Sequence, residues 1–167
     1  SYAREWTTRN ANPPHSAPPA LRDFQIPCQD GRLWTRVWNF APNGDYTWFI
    51  QAPSGSAMYA DPLAEVGCPY AIRGFDYDYL GLLWLSDVVW RDNRWIVQPD
   101  HVFETGITGL VTKAKREANP DGPSHRALLR RMQQGYRILL TRAIKGVYVW
   151  FEDQETREYV QSAIGMK

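Results

Sequence analysis

Two rhythms of apolar residues organise the last third of the chain. From Asp121-Gly122-Pro123-Ser124 onward, Leu129, Met132, Tyr136 and Leu140 return at helical spacing and predict one buried stripe. Arg126, Arg130 and Arg137 fall outside that stripe and are expected in solvent. Pro123 sits in the first turn, where a missing N–H costs nothing. After Thr141-Arg142-Ala143-Ile144-Lys145-Gly146 the rhythm changes. Val147-Tyr148-Val149-Trp150-Phe151 is β-branched and aromatic and predicts a strand over 146–151. Asp153 is then placed to cap a last helix running to about Ile164.

Upstream, Tyr79-Leu80-Gly81-Leu82-Leu83-Trp84-Leu85-Ser86 is a nearly continuous apolar run. Such a run suits a strand buried on both faces of a parallel sheet. Val88-Val89-Trp90 and Trp95-Ile96-Val97 bracket Arg91-Asp92-Asn93-Arg94 and predict a hairpin, expected to extend from the domain edge. A second hairpin is expected from 33–38 and 46–51, around Asn43-Gly44. Residues 9–23, with four prolines, and the Pro/Gly/Ser-rich 52–62 read as loops, and 106–117 reads as a helix. Strand, helix, strand and helix in succession point to an α/β fold with a parallel sheet. Only two parallel strands are visible, so further strands are expected upstream of Ser1. The chain then divides into a loop-rich lead-in over 1–62 and an α/β core over 63–167, together one domain.

Composition changes this picture little. The 167 residues suit one domain. Lys and Arg number 19 and Asp and Glu 18, so net charge selects no partner. Its distribution is lopsided. Residues 45–104 hold nine acids and three basic side chains; residues 105–145 hold nine basic side chains and two acids. One part is therefore cationic, as a solvated helix face or as a phosphate-binding one. Cys28 and Cys68 form no CxxC pair, and His15, His101 and His125 are scattered, which argues against a disulfide framework and a metal site. No apolar run approaches the ~20 residues of a membrane span. The polar start Ser1-Tyr2-Ala3-Arg4 has no signal-peptide core. A reducing, cytoplasmic setting is expected. Eight tryptophans are expected to lie mostly in the core.

Several enzyme classes lack their signatures. There is no G-x-x-x-x-G-K-[ST] phosphate loop, no G-x-G-x-x-G and no G-x-S-x-G. Asp76, Asp78 and Asp87 are the only acids that suggest a metal-dependent nuclease, and no His or Lys among them supports it. Alone, the chain is not expected to hydrolyse a nucleotide.

A resemblance organises the remaining features. Tyr70-Ala71-Ile72-Arg73-Gly74-Phe75-Asp76-Tyr77-Asp78-Tyr79-Leu80-Gly81, inside the run Glu65–Leu83, resembles helicase motif V. Tyr136 through Phe151, with its Thr141-Arg142-Ala143 step, resembles motif VI. The two in this order, with the tail from Asp153 to Tyr159, are similar to the bacterial Schlafen group 3-like DNA/RNA helicases, P-loop ATPases related to superfamily 1. The resemblance covers most of 63–163 and the first 60 residues more loosely. It implies a C-terminal RecA-like domain, its sheet incomplete here and carrying inserted β-hairpins. That domain faces an N-terminal P-loop domain of the same polypeptide, with ATP and Mg²⁺ between them and single-stranded DNA or RNA across both.

By position, the resemblance makes Arg142 the arginine that reaches the γ-phosphate. A permanently charged planar fork suits that task. Gly74 becomes the glycine that lets backbone approach phosphate, Asp76 the acid that accepts a hydrogen bond from ribose, and Thr141 a cleft residue. Tyr70 and Arg73 stand where relatives carry His and Gln, and are candidates for stacking on a base and for touching a phosphate. Each also has a plain structural reading. Arg142 is a cation at a helix C-terminus, Gly74 a turn glycine, Asp76 a turn cap, and Tyr70 and Arg73 surface residues. A non-catalytic nucleotide-sensing or interaction module is the alternative for the whole domain.

Overall fold

The computed structural model describes residues 3–10, 14–38, 46–72 and 74–165. The fold is α/β and forms two compact units, Glu5–Gly74 and Phe75–Lys167 with Ser1–Arg4. No helix among the described residues is long and apolar enough to cross a membrane.

In the first unit, β1 (Phe24–Pro27) pairs antiparallel with β2 (Leu33–Trp38), and β2 pairs parallel with β3 (Glu65–Val66). The one-turn helices α1 (Ala57–Ala60) and α2 (Pro69–Ile72) flank β3 in sequence. Phe24, Ile26, Val37 and Trp38 form the core, with the Phe24 and Trp38 rings 4.9 Å apart. Asp23 ties the layers together by accepting from the backbone N–H of Thr8 (3.0 Å) and of Trp38 (2.7 Å). The expected pairing of 33–38 with 46–51 does not form. Tyr46–Phe49 is a 3₁₀ turn, and both edges of β2 are occupied by β1 and β3. The hairpin signal that operates is Asp30-Gly31, with Gly31 at φ 79°, a conformation open to glycine. Asn43-Gly44 lies outside the described residues.

In the second unit, β4 (Tyr77–Trp84) and β7 (Ala143–Phe151) form a two-stranded parallel sheet. This is the strand pair read from the apolar runs, brought side by side. β4 is not buried on both faces, however. Leu80 and Leu82 are buried, while Tyr79 on β4 and Tyr148 on β7 are 58% and 71% exposed. Their rings lie 6.1 Å apart on the open face.

The hairpin of β5 (Val88–Arg91) and β6 (Arg94–Val97) turns through Asp92 and Asn93, both at positive φ, as a two-residue hairpin turn requires. It does not project from an edge. Val88 and Val89 are buried, and the strands pack against α4 (Pro123–Leu140) and α5 (Gln154–Ala163). α3 (Thr108–Arg116) packs against α4.

The buried stripe of α4 is His125, Leu128, Met132, Tyr136 and Leu139, rotated from the expected one; Leu140 is exposed. Hydropathy alone missed His125. Its Nδ1 lies 3.2 Å from Glu117, whose carboxylate also accepts from the Ser124 and His125 N–H groups and so caps the helix from outside it. Gly122 makes room: a Cβ there would fall 2.1 Å from the Glu117 carboxyl carbon. Of the tryptophans only Trp38 is fully buried. Trp84, Trp90 and Trp95 instead stack with Tyr136 and Tyr159 in a cluster joining sheet, hairpin and helices.

Candidate functional site

The parallel pair begins where the two candidate motifs meet. α4 ends at Leu140 with Thr141 as C-cap. The Thr141 hydroxyl donates back to the Arg137 carbonyl at 2.9 Å, closing the last turn. Arg142 N–H donates to the Leu139 carbonyl (3.3 Å), and the Arg142 carbonyl accepts from Tyr77 N–H (2.9 Å). The Arg142 backbone is thus held by the helix on one side and by β4 on the other. Such a junction fixes where a side chain starts far better than a loop does.

The Arg142 guanidinium lies beside Asp76, with Nη1 3.6 Å from Oδ1. Its side chain is 32% exposed and that of Asp76 67% exposed, so the pair is loose and wet. Arg142 Nε is buried and has no hydrogen-bond partner among the described residues. The Tyr77 hydroxyl is in the same condition, and burial pushes its phenol above the ordinary range. Arg4 Nε and Trp6 Nε1 share this condition, so it does not by itself mark a ligand position.

A second ion pair follows. Between Tyr77↔Ala143 and Tyr79↔Gly146 the ladder slips by one residue, a bulge in β7. The bulge holds Ile144 and Lys145 and sets Lys145 Nζ 3.2 Å from Asp78. Bulges re-aim side chains in this way. The sequence showed only Gly146, which gives no hint of it.

The structure therefore gathers Asp76, Thr141 and Arg142 at one end of β4 and β7. Tyr70 and Gly74 belong to the other unit: Tyr70 is on α2 and 37% exposed, and Gly74 is exposed. Chain neighbours aside, none of the described residues has an atom within 4 Å of a Cβ built on Gly74. Arg73 lies outside the described residues. The three acids of the nuclease reading do not converge. Asp76 and Asp78 pair with Arg142 and Lys145, whereas Asp87 lies beyond the far end of β4, fully buried and accepting from the Tyr136 hydroxyl at 2.5 Å. β4 itself separates them, by ~26 Å over eight residues. Among the described residues no group of three or more His, Cys, Asp or Glu is placed to hold a metal.

Chemically, this end of the sheet offers a rigidly rooted guanidinium with an unused N–H, next to an exposed carboxylate. Each stands just before one of two strands that run parallel, so the two positions coincide at the amino ends of β4 and β7. The chain belongs to the Schlafen group 3 DNA/RNA helicase domain family, whose model matches residues 2–153. The match takes in both units and stops at the α5 cap. No curated protein and no solved structure gives a significant match.

Proposed function

We propose that this chain is the C-terminal, RecA-like core domain of an ATP-dependent DNA or RNA helicase or translocase of bacterial type. Its cytoplasmic setting accords with two free cysteines. The partner is an N-terminal P-loop domain in the same polypeptide, which holds ATP and Mg²⁺. The observation that carries this reading is Arg142, its backbone held at the α4–β7 junction and its guanidinium left with only a loose carboxylate neighbour.

A phosphate fits that guanidinium. It supplies acceptor oxygens for the Nη groups and a charge stronger than the exposed Asp76 offers. When ATP is bound, its terminal phosphoryl group is the centre whose charge changes during hydrolysis. Arg142 stabilises that charge by bidentate hydrogen bonding, and its rooted backbone holds the fork in place. Asp76, released from Arg142, accepts a hydrogen bond from a ribose hydroxyl. Gly74 leaves space for backbone to approach phosphate, and Thr141 keeps the helix end closed so that Arg142 starts from one position. Tyr70 stacks on a base and Arg73 meets a phosphate of the single strand.

The test is ATP turnover in the polypeptide that carries the P-loop domain. Arg142→Ala is expected to lower it by about 10³–10⁵, and Arg142→Lys to fail substantially for want of the fork. Turnover within a few-fold of wild type for both variants returns Arg142 to a helix-end cation and favours a non-catalytic nucleotide-sensing or interaction module.

A further inference from the structure

α4 carries four arginines and no acid. Arg126, Arg130, Gln133 and Arg137 follow one another at steps of four, three and four residues, and all four are exposed. They therefore form a single line along the outer face, ~16 Å long at 1.5 Å per residue. Arg126 donates to the Asp121 backbone carbonyl. Arg130, Gln133 and Arg137 make no ion pair or side-chain hydrogen bond among the described residues. The acids nearest in sequence are committed: Glu117 caps the helix and Asp121 pairs with Arg94.

The line ends at an open pocket of about 420 Å³. Trp84, Trp95, Tyr136 and Leu140 give it an apolar lining, and Gln133, Arg137 and Thr141 lie at its polar side. The aromatic lining is preorganised. Trp84 stacks on Tyr136 at 4.1 Å and on Trp95 at 5.4 Å, and its indole N–H is spent on the Val88 carbonyl (2.8 Å). An apolar cavity of this size with a few convergent polar groups is the usual form of a small-ligand subsite. Here it adjoins an unpaired cation at the end of a basic line.

We propose that the Arg126–Arg130–Arg137 line carries phosphates of a single-stranded nucleic acid and that the pocket takes one base of that strand. Gln133 offers the paired donor and acceptor that a base edge requires, Arg137 neutralises the adjoining phosphate, and the aromatic lining shields the base from water. The strand then runs beside Thr141 and Arg142, so its occupancy is read at the residue that faces the nucleotide. This inference rests on the helicase reading and adds a contact surface on α4, separate from Tyr70 and Arg73.

The experiment is fluorescence anisotropy of the 167-residue chain with a labelled single-stranded oligonucleotide, titrated with salt. Circular dichroism establishes that each variant is folded. Arg130→Gln and Arg137→Gln are each expected to make the log–log salt slope shallower by about 0.7. An oligonucleotide with abasic sugars is expected to bind wild type about tenfold or more weakly, with unchanged slope. Gln133→Trp, which fills the pocket, is expected to bind normal and abasic strands alike, near the abasic level of wild type.

Unchanged slopes in both arginine variants, with wild type binding, overturn the inference and leave the helicase reading standing. So does equal affinity of wild type for normal and abasic strands, or equal competition by polyglutamate, which makes the line a general polyanion surface. Absence of wild-type binding at low salt also overturns it. The helicase reading is then judged separately, by the ATP turnover of the Arg142 variants.

Discussion

The two ends of the β4–β7 pair are built from the same two strands and differ in how completely their polar groups are used. At the C-terminal end Glu152 accepts from the Ser86 N–H (3.1 Å) and hydroxyl (2.6 Å) and pairs with Arg4. Next to it Asp153 caps α5 by accepting from Thr156 N–H (2.8 Å) and holds Arg91 through both guanidinium nitrogens. Thr156 in turn accepts from Trp90 N–H (2.9 Å), which locks the hairpin to the helix. At the N-terminal end the described residues form two ion pairs, Arg142–Asp76 and Lys145–Asp78, and leave Arg142 Nε and the Tyr77 hydroxyl buried without a partner among the described residues. One end is tied into the fold by this network, although Arg4 Nε is buried there without a partner among the described residues. The other has its backbone held by α4 and β4 and few side-chain partners among the described residues.

The largest expected effect separates the two ends by function. In the proposed polypeptide with a P-loop domain, Arg142→Ala is expected to remove about 10³–10⁵ of ATP turnover while the melting temperature moves little. Turnover and a thermal melt on the same preparation check this. A loss of stability equal to that of a cap variant breaks the comparison, because the open end is then also holding the fold.

Next comes the closed end. Asp153→Ala removes a helix cap worth ~1 kcal/mol, up to ~2, and strands Arg91. The Tm is expected to fall by about 2–4 °C for each kcal/mol. Turnover per folded molecule should remain, and unchanged melting would show that the Asp153 network is dispensable.

Acid sharpens the same point. The Arg91 hydrogen bond, with help from Thr156 and against the effect of burial, holds the Asp153 carboxyl well below the usual carboxylate range. Its folded pKa is depressed, so its contribution is fully present above the ordinary aspartate value and lost as pH falls. Stability should therefore decline as pH drops below about 4, and Asp153→Asn should flatten that decline. An identical pH profile in the variant would move the acid sensitivity elsewhere, for instance to Glu117. Burial alone would push that carboxyl up, but hydrogen bonds from His125 and Ser124 leave it lowered.

The smallest effect belongs to the open end. A double-mutant cycle on Asp78 and Lys145 should give a coupling of ~1 kcal/mol or less, since the pair is exposed. A larger value would mean that the bulge, rather than solvent, sets that pair.

Much of the second unit was legible beforehand. The α4 stretch, the strand after it and the Asp153 cap follow from periodicity and capping chemistry, because each depends on neighbours within a few residues. The Asp92-Asn93 hairpin was legible for the same reason. Asp76 and Arg142 were singled out one at a time, from the motifs in which they stand. The first-unit hairpin was misplaced because β2 pairs with β1 on one edge and β3 on the other, and Tyr46–Phe49 forms a 3₁₀ turn instead of a strand.

What the sequence alone determined is therefore local: which segments are helical or extended, where α4 and α5 begin, and which residue types could carry charge to a phosphate. Tertiary structure decided everything that depends on distance across the chain. It set Arg142 3.6 Å from Asp76, left its Nε without a partner, turned the α4 stripe toward His125, and opened one face of β4 that hydropathy had assigned to the core. The physical reason is that side-chain period and capping are properties of one element. Burial, pairing and unsatisfied donors are properties of what packs beside it, and no spacing along the chain encodes which neighbour that is.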